Sequence, residues 1–436
     1  MKVLLVGHAC SPSRGTELAF TWNWAWHLSQ RHQVWVITHP QERRAVEAYV
    51  AAHPNGNLRF VWATLPQCFD PWEPAKGGRG IKLHYLLWQR AALREALRLH
   101  RAVNFGVAHH VSWGTISEPS PLWRLPIPFV WGPLGGGQVS PPAFKTYFGA
   151  AWRAEWLRAA RVRLLPYRPA LRQAIRKSAL ILSTNAETER VLTQAGAKRI
   201  MPFLDSGLPD DFLLPQPPVR QSEGHFRLLW VGQLEPRKCL SLALEALAQV
   251  KGPHIGLVVA GRGSLREEWQ KRAEDLGVGE RVRFLGQVPY LQMLTVYRSA
   301  DAFIFTSLRD SFGSQVLEAM GAGLPIITLN HQGVGAFVPS DAGIKVPATN
   351  PRETVSALAA AIRRLASNVE TRRNMALAAW EFARTQSWAR RAEAMTRLYE
   401  DLVEKISGAP PPTDKEAGTA LPLLEAPTVV CGGRPC

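Results

Sequence analysis

The run Arg309-Asp310-Ser311-Phe312-Gly313-Ser314-Gln315-Val316-Leu317-Glu318 places two carboxylates around a glycine at the opening of a helical pattern. Asp310 falls in the loop, and Glu318 lies about one turn into the helix. Gly313 permits close backbone approach, and the amides of Ser314 and Gln315 at the helix start are free to meet an anion. A diphosphate suits that place. Asp310 and Glu318 can accept hydrogen bonds from hydroxyls on either side of it, and a nucleotide-sugar carries sugar and ribose hydroxyls flanking a diphosphate.

Two further segments bring cations and glycines to strand ends. In Val231-Gly232-Gln233-Leu234-Glu235-Pro236-Arg237-Lys238, two cations follow a glycine turn, and Lys238 can neutralise charge growing on a leaving phosphate. Gly261-Arg262-Gly263-Ser264 also ends a strand and opens a helix, but it lacks the third glycine of a dinucleotide fingerprint and alone reads as a turn. An isolated acidic pair is ordinarily a cap and a solvated side chain. Joint occurrence with Lys238 and Gly313, each at a strand end, turns the reading towards function.

The elements that must hold these loops follow from apolar periodicity. Val3 to Val6, a loop through Gly15, a helical stretch from Trp22 to Gln30 and the strand Val34 to Ile37 form a parallel βαβ unit. Strands at 58–61, 107–111, 129–131 and 180–182 continue the pattern. It restarts near Phe226, with strands at 228–231, 257–260, 282–284, 302–305 and 326–328 alternating with helices. The fold class is therefore α/β, with two Rossmann-like doubly wound parallel sheets facing a cleft, where ligands bind beyond the carboxyl ends of the strands. Asp205 to Pro218, rich in Pro, Gly and Asp, reads as the linker.

Composition bounds the alternatives. The chain has 436 residues, 46% apolar and 20% charged, which excludes a single small module and a disordered polyampholyte. A net charge of +17 favours anionic partners. Five scattered cysteines fit neither a disulfide framework nor a zinc spacing, and point to a reducing compartment. The opening MKVLLVGHAC reads as a strand rather than a signal peptide. No apolar run reaches the roughly 18 residues of a membrane-crossing helix. Gly135-Gly136-Gly137 reads as a flexible loop rather than a phosphate cradle. Twelve of sixteen tryptophans precede residue 157; Trp22, Trp24, Trp26, Trp131, Trp152 and Trp156 read as core or interface packing, with a sugar-stacking or lipid-facing role as the lesser reading. Two basic amphipathic stretches, 82–101 and 145–177, read singly as solvated rims beside core stripes; together they suggest docking on an anionic membrane surface.

The spacing of Gly232, Lys238, the Ala-Gly-Arg-Gly turn at Gly261, the strand Val282-Arg283-Phe284-Leu285-Gly286 and the Asp310–Glu318 segment resembles glycosyltransferase family 4, the retaining GT-B enzymes. The likeness covers roughly residues 1–405 and is most specific over 226–340. It implies an acceptor-side domain at 1–205, a nucleotide-sugar domain at 206–386 and a helix over 387–408 that packs back on the first domain, while beyond Gly408 the run GAPPPTDKEAG has too little periodic apolar content to fold, so 409–436 reads as a disordered tail. It further implies transfer of a sugar, with retention, from a nucleotide-diphospho-sugar to a saccharide or lipid-linked acceptor. The cysteine usage and the two basic stretches point to the cytoplasm, or to the inner face of the membrane peripherally. By resemblance Glu318 holds the ribose hydroxyls and Asp310 contacts the transferred sugar, with Asp standing where the family has Glu. Gln233 stands where an arginine is usual, and Arg237 is its candidate substitute.

The resemblance also assigns Gly232, Arg237, Lys238, Gly261, Phe284, Phe312, Gly313, Ser314 and Gln315 to the donor, with Gly15 and Glu17 reaching it from the first domain. His109 and His110 occupy the place of a histidine near the reacting sugar. Strand phase decides which one faces the cleft, and His110 is favoured. No Asp-x-Asp occurs in the sequence, so no metal and no cofactor beyond the co-substrate donor are expected. Two rivals are a GT-B nucleotide-sugar epimerase and a basic nucleic-acid-binding protein. The second lacks a stacking platform or zinc module, and no nucleic-acid partner is expected.

Overall fold

A computed structural model describes residues 1–13, 17–66, 68, 70–72, 78, 80–216, 224–252 and 254–407. Gly15 and the tail 409–436 lie outside the described residues, as does the end of the Asp205–Pro218 stretch. The first domain holds strands β1 (Lys2–Gly7), β2 (Gln33–Thr38), β3 (Leu58–Trp62), β4 (Val107–Ser112), β5 (Phe129–Leu134), β6 (Leu180–Ser183) and β7 (Ile200–Pro202). The second holds β8 (Phe226–Val231), β9 (Ile255–Ala260), β10 (Val282–Gly286), β11 (Ala302–Phe305), β12 (Ile326–Leu329) and β13 (Gly343–Val346). Their orders are β3-β2-β1-β4-β5-β6-β7 and β10-β9-β8-β11-β12-β13. Neighbouring strands pair parallel throughout, as with β1 on β4 and β8 on β11. This is the expected pair of doubly wound sheets. The strands read as continuous apolar runs because helices cover both faces; every residue of β4 and of β5 is buried.

Each sheet changes direction of winding once, between β1 and β4 and between β8 and β11. The loops leaving those strands are the ones that carry chemistry in the sequence. In the first domain, one face of the sheet packs on the Ile81–Val103 helix through Tyr85, Trp88, Ala92 and Ala96. Arg90, Arg94, Arg98 and Arg101 stay in solvent, so this helix is a core stripe with a solvated rim. The other face packs on the Glu17–Leu28 helix and, from the far end of the chain, on Trp388, Met395 and Tyr399 of the Trp388–Ser407 helix.

Two chain crossings join the domains, and they lie against each other. Leu208 pairs with Ser387, its N–H donating to the Gln386 carbonyl at 2.8 Å. Arg391 donates to the Leu204 carbonyl and, at 2.9 Å, to Gln386 Oε1. A Cβ at Gly207 would lie 2.6 Å from the Trp388 ring, so that glycine sets the approach of the two crossings.

Two expectations are corrected here. Gly135, Gly136 and Gly137 are no flexible loop: the Gly137 N–H donates to Thr188 Oγ1 at 3.0 Å, and a Cβ on Gly135 would fall 2.2 Å from Ser311 Oγ of the second domain. Absence of side chains lets the domains touch there. Trp156 is not a packing residue; on the Trp152–Leu164 helix it is 58% exposed beside Leu157 and Leu164, because that helix buries only Glu155 and Val162.

Candidate active site

A cavity of about 750 Å³ separates the carboxyl ends of the two sheets. From the first domain it is lined by Glu17, Phe20, Val111, Gly114, Pro133 and the linker residue Asp205. From the second come Gly232, Gln233, Arg237 and Lys238 after β8, Gly261 and Arg262 after β9, and the segment from Asp310 to Glu318 after β11. Tyr290 and Met293 close one side.

Lys238 Nζ bonds Asp310 Oδ2, and Arg237 Nη1 stands 3.5 Å from the same oxygen. Ser307 Oγ donates to it at 3.4 Å, and the Asp310 N–H donates to Gln332 Oε1 at 2.7 Å. Burial alone raises a carboxyl, but the two cations outweigh it and hold Asp310 below the usual carboxylate range. Burial pulls Lys238 down, which Asp310 opposes in part. The result is an ionised carboxylate and a desolvated ammonium at the cavity wall, next to the start of the Ser314–Gly321 helix. Gly313 has φ +101, and a Cβ there would lie 3.0 Å from the Phe305 ring. Only glycine enters the helix by this route without strain.

Glu318 behaves oppositely. Among the described residues no cation faces it; Tyr297 donates to Oε2 at 2.8 Å and Tyr290 to Oε1 at 3.3 Å. Burial pushes its carboxyl up to about 7, and the tyrosine hydroxyls restrain the rise. Asp205 is also pushed up, to about 6, by burial and by Asp310, with Arg391 opposing.

The loops after β8 and β9 form a floor by backbone contact. A Cβ on Gly261, whose φ is +145, would sit 1.8 Å from the Gly232 carbonyl oxygen, and one on Gly263 would sit 2.4 Å from that of Leu234. Each glycine of the Gly261-Arg262-Gly263 turn is required by close packing. Arg237 Nη2 lies 3.5 Å from Gln233 Oε1, so these two side chains share one wall.

The structure thus gathers Glu17, Gly232, Arg237, Lys238, Gly261, Asp310, Gly313, Ser314, Gln315 and Glu318 around one cavity. It does not bring the remaining candidates there. Phe284 packs at the edge of one core and Phe312 is fully buried against Phe337 in another. Neither histidine lines the cavity, correcting the expectation that strand phase would turn one towards it. Both faces of β4 are covered: His109 bonds Tyr399 Oη at 2.5 Å and the Gly132 carbonyl at 2.7 Å under the terminal helix. His110 bonds Ser120 Oγ at 2.7 Å, the Ser112 carbonyl at 2.8 Å and Tyr85 Oη at 3.0 Å under the other. Burial lowers the first to about 3 and the second to about 4, so both are neutral structural rings at pH 7. Sequence reasoning missed Asp205 in the linker, Tyr290 and Gln332 at helix starts and Tyr297 at the end of the Met293–Arg298 helix, none of which carries a motif. Only Gln332 carries a local sign, its positive φ of 54, and that sign is conformational.

The domains are also latched beside the cavity. Arg309 Nε is 2.9 Å from Glu155 Oε1, Gln138 Nε2 donates to Ser311 Oγ at 3.3 Å, and Tyr147 Oη donates to Glu245 Oε2 at 2.7 Å.

Residues 216–381 match the family model described as Glycosyl transferases group 1. D-inositol 3-phosphate glycosyltransferase of Corynebacterium glutamicum is 33% identical over 190 residues, 41% of this chain and 44% of that protein. The match therefore spans less than half the length of that curated relative. Among solved structures, Anabaena HepE in complex with UDP has 14% identity and a TM-score of 0.60, covering 92% of this chain and 100% of its own. Sucrose-phosphate synthase from Thermosynechococcus elongatus has 17% identity and a TM-score of 0.62, covering 93% and 99%. The shared fold is the GT-B arrangement of two facing Rossmann-like domains.

Proposed function

We propose that the chain is a retaining glycosyltransferase of family 4 that moves a sugar from a nucleotide-diphospho-sugar to a saccharide or lipid-linked acceptor. The observation that carries this reading is the Lys238–Asp310 pair, with Arg237 beside it, opening on the interdomain cavity at the start of the Ser314–Gly321 helix. The Glycosyl transferases group 1 match covers these residues, and the Anabaena structure with UDP supports a nucleoside diphosphate as the ligand.

In this reading the diphosphate takes Lys238, Arg237 and the Ser314 and Gln315 amides as its counter-charge. These donors are fixed before reaction, so they stabilise the leaving group without reorganising. Asp310, freed from Lys238 by the phosphate, accepts from a hydroxyl of the transferred sugar, and Glu318 accepts from the ribose. The first domain offers the acceptor from the Glu17 side. Attack on the donor face from which the diphosphate departs, with a departing phosphate oxygen taking the acceptor proton, preserves the anomeric configuration. Neither His109 nor His110 takes part. Domain contact excludes water from the oxocarbenium-like carbon.

Amides and cations neutralise the diphosphate in this scheme, so no metal is required there. Transfer measured in minutes after addition of excess chelator keeps its rate; loss of turnover on that timescale overturns this element of the reading. We further read the chain as cytoplasmic and peripheral on membrane. Among the described residues no helix is long and apolar enough to cross a membrane. Support comes from Trp156, Leu157, Leu164 and Tyr167, 48–70% exposed, interleaved with Arg153, Arg161 and Arg163. Flotation with anionic vesicles at moderate salt tests it, and unbound protein there removes it.

The experiment that decides the main reading is a melting-temperature screen against UDP, GDP, ADP and TDP, since a ligand held only by the native form raises the transition. One diphosphate raises it in wild type and fails to in Lys238→Ala. No shift with any of the four overturns the assignment. Product analysis with donor alone separates transfer from epimerisation.

A further inference from the structure

Away from the cavity, three imidazoles and a carboxylate converge from four separate stretches of chain. His8 follows β1, His39 follows β2, Asp70 precedes the Ile81–Val103 helix and His84 lies in its first turn. One ligand atom each from His39, Asp70 and His84 lies within 4.8 Å of the others. Asp70 Oδ1 is 2.6 Å from His84 Nδ1, and His8 Nε2 is 3.0 Å from His84 Nε2. His84 is wholly buried and His8 nearly so, while His39 and Asp70 form a half-buried rim. Trp72, Trp88 and Trp113 wall the cluster around His8.

We propose that His39, Asp70 and His84 bind a divalent ion of the zinc class, with His8 orienting His84. Imidazole with one carboxylate is a donor set for zinc. His84 ligates through Nδ1, and its Nε2–H is held by the lone pair of His8 Nε2. A ligating histidine usually donates its second ring N–H in this way. The ion displaces the proton now shared by Asp70 and His84 Nδ1; as that proton leaves, the His8 Nε2 proton crosses to His84 Nε2 and His8 takes one up at Nδ1, so ligation releases no net proton. At zinc–ligand distances of about 2.0–2.2 Å, the two atoms part to roughly 3 Å, a small movement for a rim carboxylate. None of the four residues lines the interdomain cavity. The ion is therefore a clamp that ties the ends of β1 and β2 to the chain entering the Ile81–Val103 helix, separate from the transfer reaction.

Its test uses the full chain without an affinity tag, stripped by prolonged dialysis against chelator and then titrated. Zinc raises the melting temperature with saturation at one equivalent, and cobalt gives the visible absorption bands of a four-coordinate ion. His39→Gln and Asp70→Asn, at the rim, each weaken binding at least tenfold and lose the cobalt bands; His53→Gln, an exposed histidine elsewhere, leaves both unchanged. Buried His84→Gln risks misfolding, so the two rim variants decide. A chain that shows no saturable shift, or rim variants that bind as wild type does, overturns the proposal. Because the readouts are melting and absorption, failure here leaves the reading of the cavity untouched.

Discussion

Asp310 and Glu318 share one cavity but hold opposite charge environments, and that difference is measurable. Asp310 is kept ionised by Lys238 and Arg237, whereas Glu318 accepts from the hydroxyls of Tyr297 and Tyr290 and burial pushes it up to about 7. Unfolded, Glu318 ionises near its ordinary value of 4.5. Between those values folding takes up a proton, so this side chain lowers stability as pH rises from about 4.5 to 7 and no further above. The full cost is on the order of 3 kcal/mol. Urea denaturation at pH 5 and pH 8 is expected to show Glu318→Gln gaining several-fold more on wild type at the higher pH; equal gains at both would show that burial does not perturb this carboxyl. Removing Lys238 takes away a fixed charge at the proposed leaving group, and Lys238→Ala is expected to lower kcat by about 10²–10³-fold. Asp310→Ala should fall comparably with its fold intact by circular dichroism, and near-normal turnover in either variant would show that the pair does not act on the donor.

Strand exits and their glycines decide whether those side chains meet. Gly261 lies against the Gly232 carbonyl at a distance that admits no side chain, in a backbone conformation L-residues avoid. Gly261→Ala must therefore push the exits of β8 and β9 apart, with a cost of about 1–3 kcal/mol and weaker nucleotide binding. Gly56→Ala, with nothing within 4 Å, serves as the control. Equal melting and equal nucleotide affinity in the two variants would deny the close approach a role. β4 shows the complementary lesson. Its neighbours His109 and His110 point to opposite faces as pleating demands, yet the Trp388–Ser407 helix covers one face and the Ile81–Val103 helix the other. Period alone cannot say that both sides are closed.

At the scale of the whole molecule, the two domains are joined by paired crossings at Leu208 and Ser387 and latched by Glu155 with Arg309. Glu155 also stands 4.0 Å from Arg158, so Glu155→Gln leaves two arginines facing each other without their shared carboxylate. The expected result is a larger radius of gyration in solution scattering, a raised KM for donor and a smaller change in kcat; unchanged scattering and KM would show that the latch does not hold the domains together. The features legible along the chain were local. Buried parallel strands are apolar runs, and glycines, cations and carboxylates follow those runs, so two sheets, their exits, Lys238, Asp310, Gly313 and Glu318 were legible. Contacts between residues far apart in sequence were decided only by the tertiary structure: Gln332 on Asp310, Tyr297 on Glu318, Glu155 on Arg309, and the cluster of His8, His39, Asp70 and His84. Such pairings depend on where helices settle over each sheet and on how one domain turns against the other, and no local period or propensity along the chain encodes either.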